Sequence, residues 1–372
     1  MKYYIIAGEP SGDLHGSNLM KALLEKDVEA NFRYFGGELM QSIGGNLSKH
    51  YSEMAFMGFL EVVMNLGKIS KNFKDAKQDI LAYQPDVLIL IDYPGFNLRM
   101  AAWAKAQGLR VHFYISPQLW AWKANRIKKI KKYIDRMFVI LPFEKQWYAD
   151  RNYQVDFVGH PLLDAVANRK TNTQFLTQNE LSPKPIIALL PGSRKQEISK
   201  MLPLMLRLSK EYPAYQFVIA GAPSQSQDFY KKIITKEEND TSIKIVSNQT
   251  YDLLSQATAA LVTSGTATLE TALFDVPQIV CYKSSAISVA IAKRIVKIKY
   301  ISLVNLIMDR EVVKELIQED YNFETLKGHF DNLIQPDSIA NMQSEYTSLK
   351  AMLGTAGASS RTAELIIEDL RQ

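Results

Sequence analysis

The chain has 372 residues, 47% of them hydrophobic and 22% charged, and carries a formal net charge of +5. That is enough chain for two domains with substantial cores, in the balance of a soluble globular protein. Cys281 is the only cysteine and the five histidines (His15, His50, His112, His160, His329) are scattered, which excludes an internal disulfide, a cysteine-rich zinc site and a close histidine pair for a metal.

The opening residues Met1 to Ala7 are too short for a signal peptide and run straight into a glycine turn, so Tyr3 to Ala7 reads as the first strand. No run of about 18 uninterrupted apolar residues predicts a membrane-spanning helix, and a cytoplasmic location is expected. Next comes Gly8-Glu9-Pro10-Ser11-Gly12-Asp13-Leu14-His15-Gly16. A helix cap by Ser11 or Asp13 would explain part of it. Three glycines with Glu, Asp and His packed among them exceed that need. Gly8, Ser11, Gly12 and Asp13 are therefore candidate substrate contacts, with Glu9 and His15 as reserve acid–base groups. A helix over Leu14 to Leu24 and a short strand over Phe32 to Phe35 follow.

The segment Phe56 to Leu66 is unusually apolar between polar flanks. Val87 to Ile91 reads as a buried strand, and Ile91-Asp92-Tyr93-Pro94-Gly95-Phe96-Asn97 follows it. A carboxylate at the end of an apolar run is costly unless it has partners or a task. Asp92, aimed out of a strand end, suits a general base. Asn97 reads as a cap of helix 98–106 or a substrate contact. Strand Val111 to Ile115 leads to Ser116-Pro117-Gln118-Leu119-Trp120-Ala121-Trp122, where Ser116, Gln118 and Trp120 suit a sugar or acyl site as well as a packed loop. Lys123 to Arg136 is strongly basic. Beside an apolar patch, such a run suits an anionic bilayer surface better than nucleic acid, for which no aromatic–basic signature exists. Strands over Met137 to Leu141 and Val155 to Val158 flank a helix around Trp147.

The polar stretches Asn168 to Thr173 and Ser182 to Pro185 mark a connection, after which strand–helix alternation restarts. Strands are predicted at Ile186 to Leu190, Gln216 to Ala220, Ile243 to Val246, Ala259 to Val262 and Gln278 to Cys281, with helix from Glu311 onward. This is an α/β chain of two doubly wound, Rossmann-like domains facing across a cleft lined by strand C-terminal ends. Their predicted bounds are 1–167 and 168–344, with 345–372 as a last helical segment.

Two turns in the second half have phosphate-binding character. Leu190-Pro191-Gly192-Ser193-Arg194 and Ser264-Gly265-Thr266-Ala267-Thr268-Leu269-Glu270 each join an apolar strand to a helix. Such turns leave N–H groups free at the positive helix end. Arg194 adds a forked cation for diphosphate oxygens, and Glu270, about one turn into its helix, suits ribose hydroxyls. Gly192, Ser193, Ser264, Gly265, Thr266, Ala267 and Thr268 complete the candidate nucleotide site. Ser302 and Asn305, after the basic stretch Lys293 to Lys299, are placed beside it. The dinucleotide glycine signature and the Gly-Lys-Ser/Thr phosphate loop are both missing, which disfavours a nicotinamide enzyme or an ATPase. No Asp-x-Asp pair is present to hold a divalent metal at a diphosphate, so a metal-free, cofactor-free site is expected.

Taken together these motifs resemble lipid-A-disaccharide synthases over nearly the whole chain, with Met57 to Val62, Leu141 to Glu144, Gly159 to Pro161 and Tyr300 to Asn305 adding to the likeness. The resemblance implies a GT-B glycosyltransferase of lipid A assembly in Gram-negative bacteria, acting at the cytoplasmic face of the inner membrane. It implies an inverting transfer from UDP-2,3-diacylglucosamine to the 6-hydroxyl of 2,3-diacylglucosamine 1-phosphate, giving a β-1,6 disaccharide and UDP. The family's key Asp falls on Asp92, its diphosphate Arg on Arg194 and its late Asn on Asn305. Val304 stands where the family has Pro, and Gly95 where some members have Asp. The resemblance also implies that residues after about Ser344 cross back to the first domain. The partners it implies are acylated glucosamines and an anionic membrane surface; a homodimer is compatible with the sequence. Two other readings are a different UDP-sugar enzyme of this fold, such as a UDP-N-acetylglucosamine 2-epimerase, and a non-catalytic nucleotide-sugar or membrane-binding protein.

Overall fold

The computed structural model describes residues 1–54, 66–167, 169, 172–237, 243–284 and 298–372. The chain divides into two compact units, Met1–Asp164 with Thr355–Gln372, and Ala165–Gly354. The apolar stretch over 55–65, the linker positions 168, 170 and 171, and most of the basic stretch containing Lys293, Arg294 and Lys297 lie outside the described residues.

The first unit is built on strands β1 (Lys2–Ala7), β2 (Asn31–Gly36), β3 (Asn46–His50), β4 (Val87–Ile91), β5 (Val111–Tyr114), β6 (Arg136–Val139) and β7 (Asp156–Phe157). They pair in the order β3-β2-β1-β4-β5-β6-β7, every pair parallel. A parallel sheet is covered on both faces, so its central strands are apolar throughout. Tyr4, Ile6, Leu88 and Leu90 enter one core, and their neighbours Tyr3, Ile5, Val87 and Ile89 enter the core on the opposite face. Helix Ala358–Arg371 supplies Ala363, Ile366 and Ile367 to that second core. Arg361 fastens it by donating from Nε to the Val158 carbonyl at 2.8 Å, and Asp369 accepts from the buried His112 Nε2 at 2.9 Å.

The second unit has β8 (Ile186–Leu190), β9 (Gln216–Gly221), β10 (Lys244–Ser247), β11 (Ala257–Thr263), β12 (Gln278–Tyr282) and β13 (Lys314–Ile317), again all parallel, in the order β10-β9-β8-β11-β12-β13. Its strands alternate in the same way. Ile187, Leu189 and Leu261 face one core, and Ile186, Ala188 and Val262 face the other.

Several local expectations are corrected. β13 occupies a stretch expected to be helical, because Leu316 is buried beside β12 and the pairing overrides the local pattern. The basic run from Lys123, given no secondary structure from sequence, comprises a 3₁₀ turn Ala124–Arg126, a helix Ile127–Tyr133 and the start of β6. The division falls after Asp164 rather than Ala167. The return to the first unit begins at Thr355, because helix Pro336–Leu353 belongs to the second unit and ends at Gly354 with φ +84°.

In each sheet the winding reverses between two neighbours, β1 and β4 in the first and β8 and β11 in the second. The loops leaving these pairs run in opposite directions and open a crevice at the strand C-termini, where ligands of such sheets bind. All four loops are motifs that stood out in the sequence: Gly8–Gly16, Asp92–Asn97, Pro191–Arg194 and Ser264–Glu270.

Candidate active site

At the first switch point, Asp92 and Tyr93 both take left-handed backbone conformations, φ 43° and 47°. Two consecutive non-glycine residues there are uncommon, and surrounding contacts hold them. The Asp92 N–H donates to Tyr114 O at 3.0 Å, continuing the ladder. Asn97, fully buried, donates from Nδ2 to Ile91 O at 3.1 Å and Asp92 O at 2.7 Å. The Tyr93 hydroxyl donates to Met54 O at 2.9 Å. The Asp92 carboxyl is half-buried, and burial together with the nearby Glu9 charge lifts its pKa to about 6. A carboxyl so tuned is a base at neutral pH, and a stronger one than an ordinary carboxylate.

Asp92 lines a cavity of about 190 Å³ with Pro94, Ile115, Ser116, Gln118, Trp122, Ile140, Leu141 and Glu144. Glu144 lay in a motif of the sequence but was not singled out. It is 1% exposed, accepts from Leu141 N–H at 3.0 Å and from the Trp120 indole at 3.3 Å, and burial raises its pKa to about 7. Trp120 packs edge-on against Phe143, and Trp122, not Trp120, is the cavity wall. The Ser116 hydroxyl lies at the cavity but is 2.7 Å from the Tyr148 hydroxyl.

Several other residues of this half are engaged within the protein. Asn97 sits inside helix Pro94–Ala106, its amide spent on backbone carbonyls. The Asp13 carboxylate is 2% exposed and accepts from the N–H groups of Gly37, Leu39 and Met40, so it anchors helix Glu38–Ile43 rather than its own helix or a ligand. Gly12 permits close packing: a β-carbon there would lie 3.1 Å from that of Ala7. Ser11 is exposed at the start of helix Pro10–Lys26, whose N-cap is Glu9. His15 stays neutral, as burial lowers its pKa to about 4, and it neighbours His160, lowered to about 3 by burial and then by His15. Neither is the form of histidine that shuttles protons near neutrality.

At the second switch point, a cavity of about 260 Å³ is lined by Gly192, Ser193, Ser264, Gly265, Thr266, Ala267 and Glu270, the residues expected from the two turns. Gly192 at φ +105° and Gly265 at φ +154° supply backbone conformations that other residues rarely adopt. Sequence reading missed Ala220 to Pro223, Thr250 and Glu197, which complete the wall. Glu270 accepts from the Tyr251 hydroxyl at 2.8 Å, and burial raises its pKa. Arg194 stays largely exposed and pairs with Glu197 at 3.0 Å. An exposed pair of this kind is worth about 0–1 kcal/mol, so a diphosphate can take over the guanidinium cheaply.

Ser302 and Asn305 are both fully buried and act as supports beside the turn. The Glu315 carboxylate accepts from the N–H of Ile301, from the N–H and hydroxyl of Ser302, and from Asn305 Nδ2, all at 2.8–2.9 Å. Ser264 Oγ donates to Ile301 O at 2.8 Å, and the Leu303 N–H donates to the buried Thr268 Oγ1 at 3.3 Å. The late motif therefore braces the Ser264–Thr268 turn from behind. Glu315, which no sequence signal marked, is the hub.

Among the described residues no group of three or more His, Cys, Asp or Glu side chains is arranged to hold a metal, and no helix is long and apolar enough to cross a membrane.

Two parallel-sheet units, each with its loops gathered at a switch point, define the GT-B class of glycosyltransferases and nucleotide-sugar epimerases. The structure of a UDP-N-acetylglucosamine 2-epimerase from Neisseria meningitidis bound to UDP-GlcNAc overlays with a TM-score of 0.68 at 15% identity, covering 99% of this chain and 100% of that one. The glycosyltransferase of kitacinnamycin gives 0.65 at 12% identity, covering 99% of both. At such identities the likeness is one of fold. Sequence goes further: the family profile described as lipid-A-disaccharide synthetase matches residues 3–367. The lipid-A-disaccharide synthase of Geobacter sulfurreducens is 36% identical over 372 residues, 98% of this chain and 96% of its own. The chain belongs to the lipid-A-disaccharide synthase family, whose members are hexosyltransferases.

Proposed function

We propose that this protein is an inverting hexosyltransferase that joins UDP-2,3-diacylglucosamine to 2,3-diacylglucosamine 1-phosphate, forming the β-1,6 disaccharide of lipid A and UDP. The observation that carries the catalytic part is Asp92, a half-buried carboxyl raised to about 6 at the cavity of the first switch point. Asp92 takes the proton of the acceptor 6-hydroxyl as that oxygen attacks the anomeric carbon of the donor, and the bond from that carbon to the UDP oxygen breaks. The second switch-point cavity holds UDP. N–H groups of the Gly192–Ser193 and Gly265–Thr266 turns and the Arg194 guanidinium neutralise the departing diphosphate, and Glu270 accepts from the ribose.

The reaction needs no metal in this reading, as the cation and the turns do the electrostatic work. The acylated substrates point to an anionic bilayer surface as the place of work, with the lysines of helix Ile127–Tyr133 and the apolar run before Leu66 as its contacts. The test is direct. The pure protein is incubated with both acylated substrates, and lipid disaccharide and UDP are sought by mass spectrometry. Donor alone giving an epimerised sugar, with no disaccharide from the pair, would overturn the assignment.

A further inference from the structure

The Asp92 cavity has a cationic rim that the transfer mechanism leaves unused. Trp122 forms part of the wall yet stays 41% exposed. Lys123 Nζ lies 4.4 Å from its ring centroid, and the Arg126 guanidinium carbon 5.5 Å. Both meet the same ring because Lys123, in the left-handed region at φ 55°, caps the 3₁₀ turn that ends at Arg126. Two nearby cations are already paired, Lys105 with Asp135 and Arg136 with Asp156, and the lysines of helix Ile127–Tyr133 do not meet the Trp122 ring. Lys123 and Arg126 have no carboxylate partner among the described residues. Stacking on an exposed indole is worth only about 0.5–1 kcal/mol and leaves their N–H donors available to an anion.

The cavity, about 190 Å³, is smaller than the roughly 300–1,000 Å³ of drug-sized sites. It suits one sugar ring without its acyl chains. In a pyranose, C1 and C5 flank the ring oxygen, so a substituent on C1 leaves the ring on the same edge as the 6-hydroxymethyl group. A ring presenting its 6-hydroxyl to Asp92 thus carries its anomeric substituent toward the rim. We propose that Lys123 and Arg126 grip the anomeric phosphate of the acceptor at the mouth of the Asp92 cavity and so select a sugar phosphate as acceptor. The phosphate is held, not transferred, and stays on the product. This inference rests on the reading of Asp92 as the base of the transfer. A bilayer headgroup offers the same phosphate chemistry, and the experiment separates the two sources.

Lys123→Gln, Arg126→Gln and the double variant would be compared in two-substrate initial-rate kinetics. Each single change should raise the acceptor KM about tenfold or more, the loss of one charge-assisted hydrogen bond. Donor KM and kcat should stay within about twofold, and Arg126→Lys should recover part of the loss. An acceptor lacking the phosphate should be used poorly by the wild type and equally by every variant. An unchanged acceptor KM overturns the proposal: with weakened binding to phosphatidylglycerol vesicles the cations belong to the bilayer, and without it they are a solvated face. Calorimetric binding of glucosamine 1-phosphate to Asp92→Asn protein, with and without Lys123→Gln, tests the rim without turnover. Phosphate-dependent binding lost in the variant, from a wild type inactive on both substrates, would sink the transferase reading and keep the rim.

Discussion

Tyr93 lies against the bare α-carbon of Gly8, so close that a β-carbon at position 8 would sit 2.4 Å from ring atom Cδ1. The ring is also tied through its hydroxyl to Met54 O. The two loops of the first switch point thus hold each other, and the backbone of Asp92 is set by a neighbour on β1's loop. Gly8→Ala should destabilise the protein by about 1–3 kcal/mol, the usual cost of overpacking. It should also lower kcat more than it changes KM for the UDP-sugar. Denaturant unfolding and steady-state kinetics check both; wild-type kcat in a destabilised variant would show that Tyr93 does not position the base.

Asp92→Asn should reduce turnover about a hundred- to ten-thousand-fold and leave UDP binding intact. Asn tolerates the left-handed backbone here, so the turn should survive. The wild-type kcat/KM should fall as pH drops through about 6, where the carboxyl takes up its proton. Stability runs the other way. The folded pKa lies above the unfolded value of about 3.9, so the stabilising contribution is full at low pH and is lost as pH rises through about 6. The Asn variant should therefore melt higher than the wild type above pH 7, and show no such advantage near pH 4.

Glu315→Ala should weaken UDP binding although residue 315 lies outside the cavity lining, because the Ser302–Asn305 brace behind the Ser264–Thr268 turn loses its acceptor. Several buried donors would be left unpaired, at about 1–3 kcal/mol each before relaxation. Calorimetric titration with UDP reads the effect. Unaltered affinity in a folded variant would make the network a matter of stability alone.

Turnover should persist in excess EDTA. The basis is a sequence without an Asp-x-Asp pair and a diphosphate turn carrying Arg194. Activity stopped by chelation and restored by magnesium would contradict it.

Replacing Phe59 and Leu60 by Ser should lower binding to anionic vesicles and raise the apparent KM for acylated substrates, with UDP affinity unchanged. Salt should weaken wild-type vesicle binding only in part, since it screens charge but not apolar burial. Vesicle binding unmoved by the double change would assign that run to core.

The switch-point loops were legible because small-residue turns after fully apolar runs carry a strong local signal, and Asp92 stood out as a carboxylate at the end of one. The roles of Asp13, Asn97, Ser302 and Asn305 were not. Polar side chains in a motif look alike in sequence whether they face a ligand or backbone N–H groups, and only burial separates the two. Glu315 was missed because β13 is a short edge strand, Lys314–Ile317, with no alternation to mark it. Trp120 and Trp122 were interchangeable until Glu144 claimed the Trp120 indole.

Helix Ala358–Arg371 is made after every residue of the second unit, yet Ile366 and Ile367 complete a core that begins at Tyr3. On the ribosome the first unit must wait, with the sheet face that this helix covers still open, while the second can close as a continuous stretch. The first strand and this helix are thus coupled in time as well as space: β1 reaches its final packing only after Ala358–Arg371 has emerged. Contacts between helix Pro10–Lys26 and the last helix are among the most distant in sequence, which makes them slow to form. A nascent chain stalled before Thr355 would present that uncovered face to chaperones and to other copies of itself.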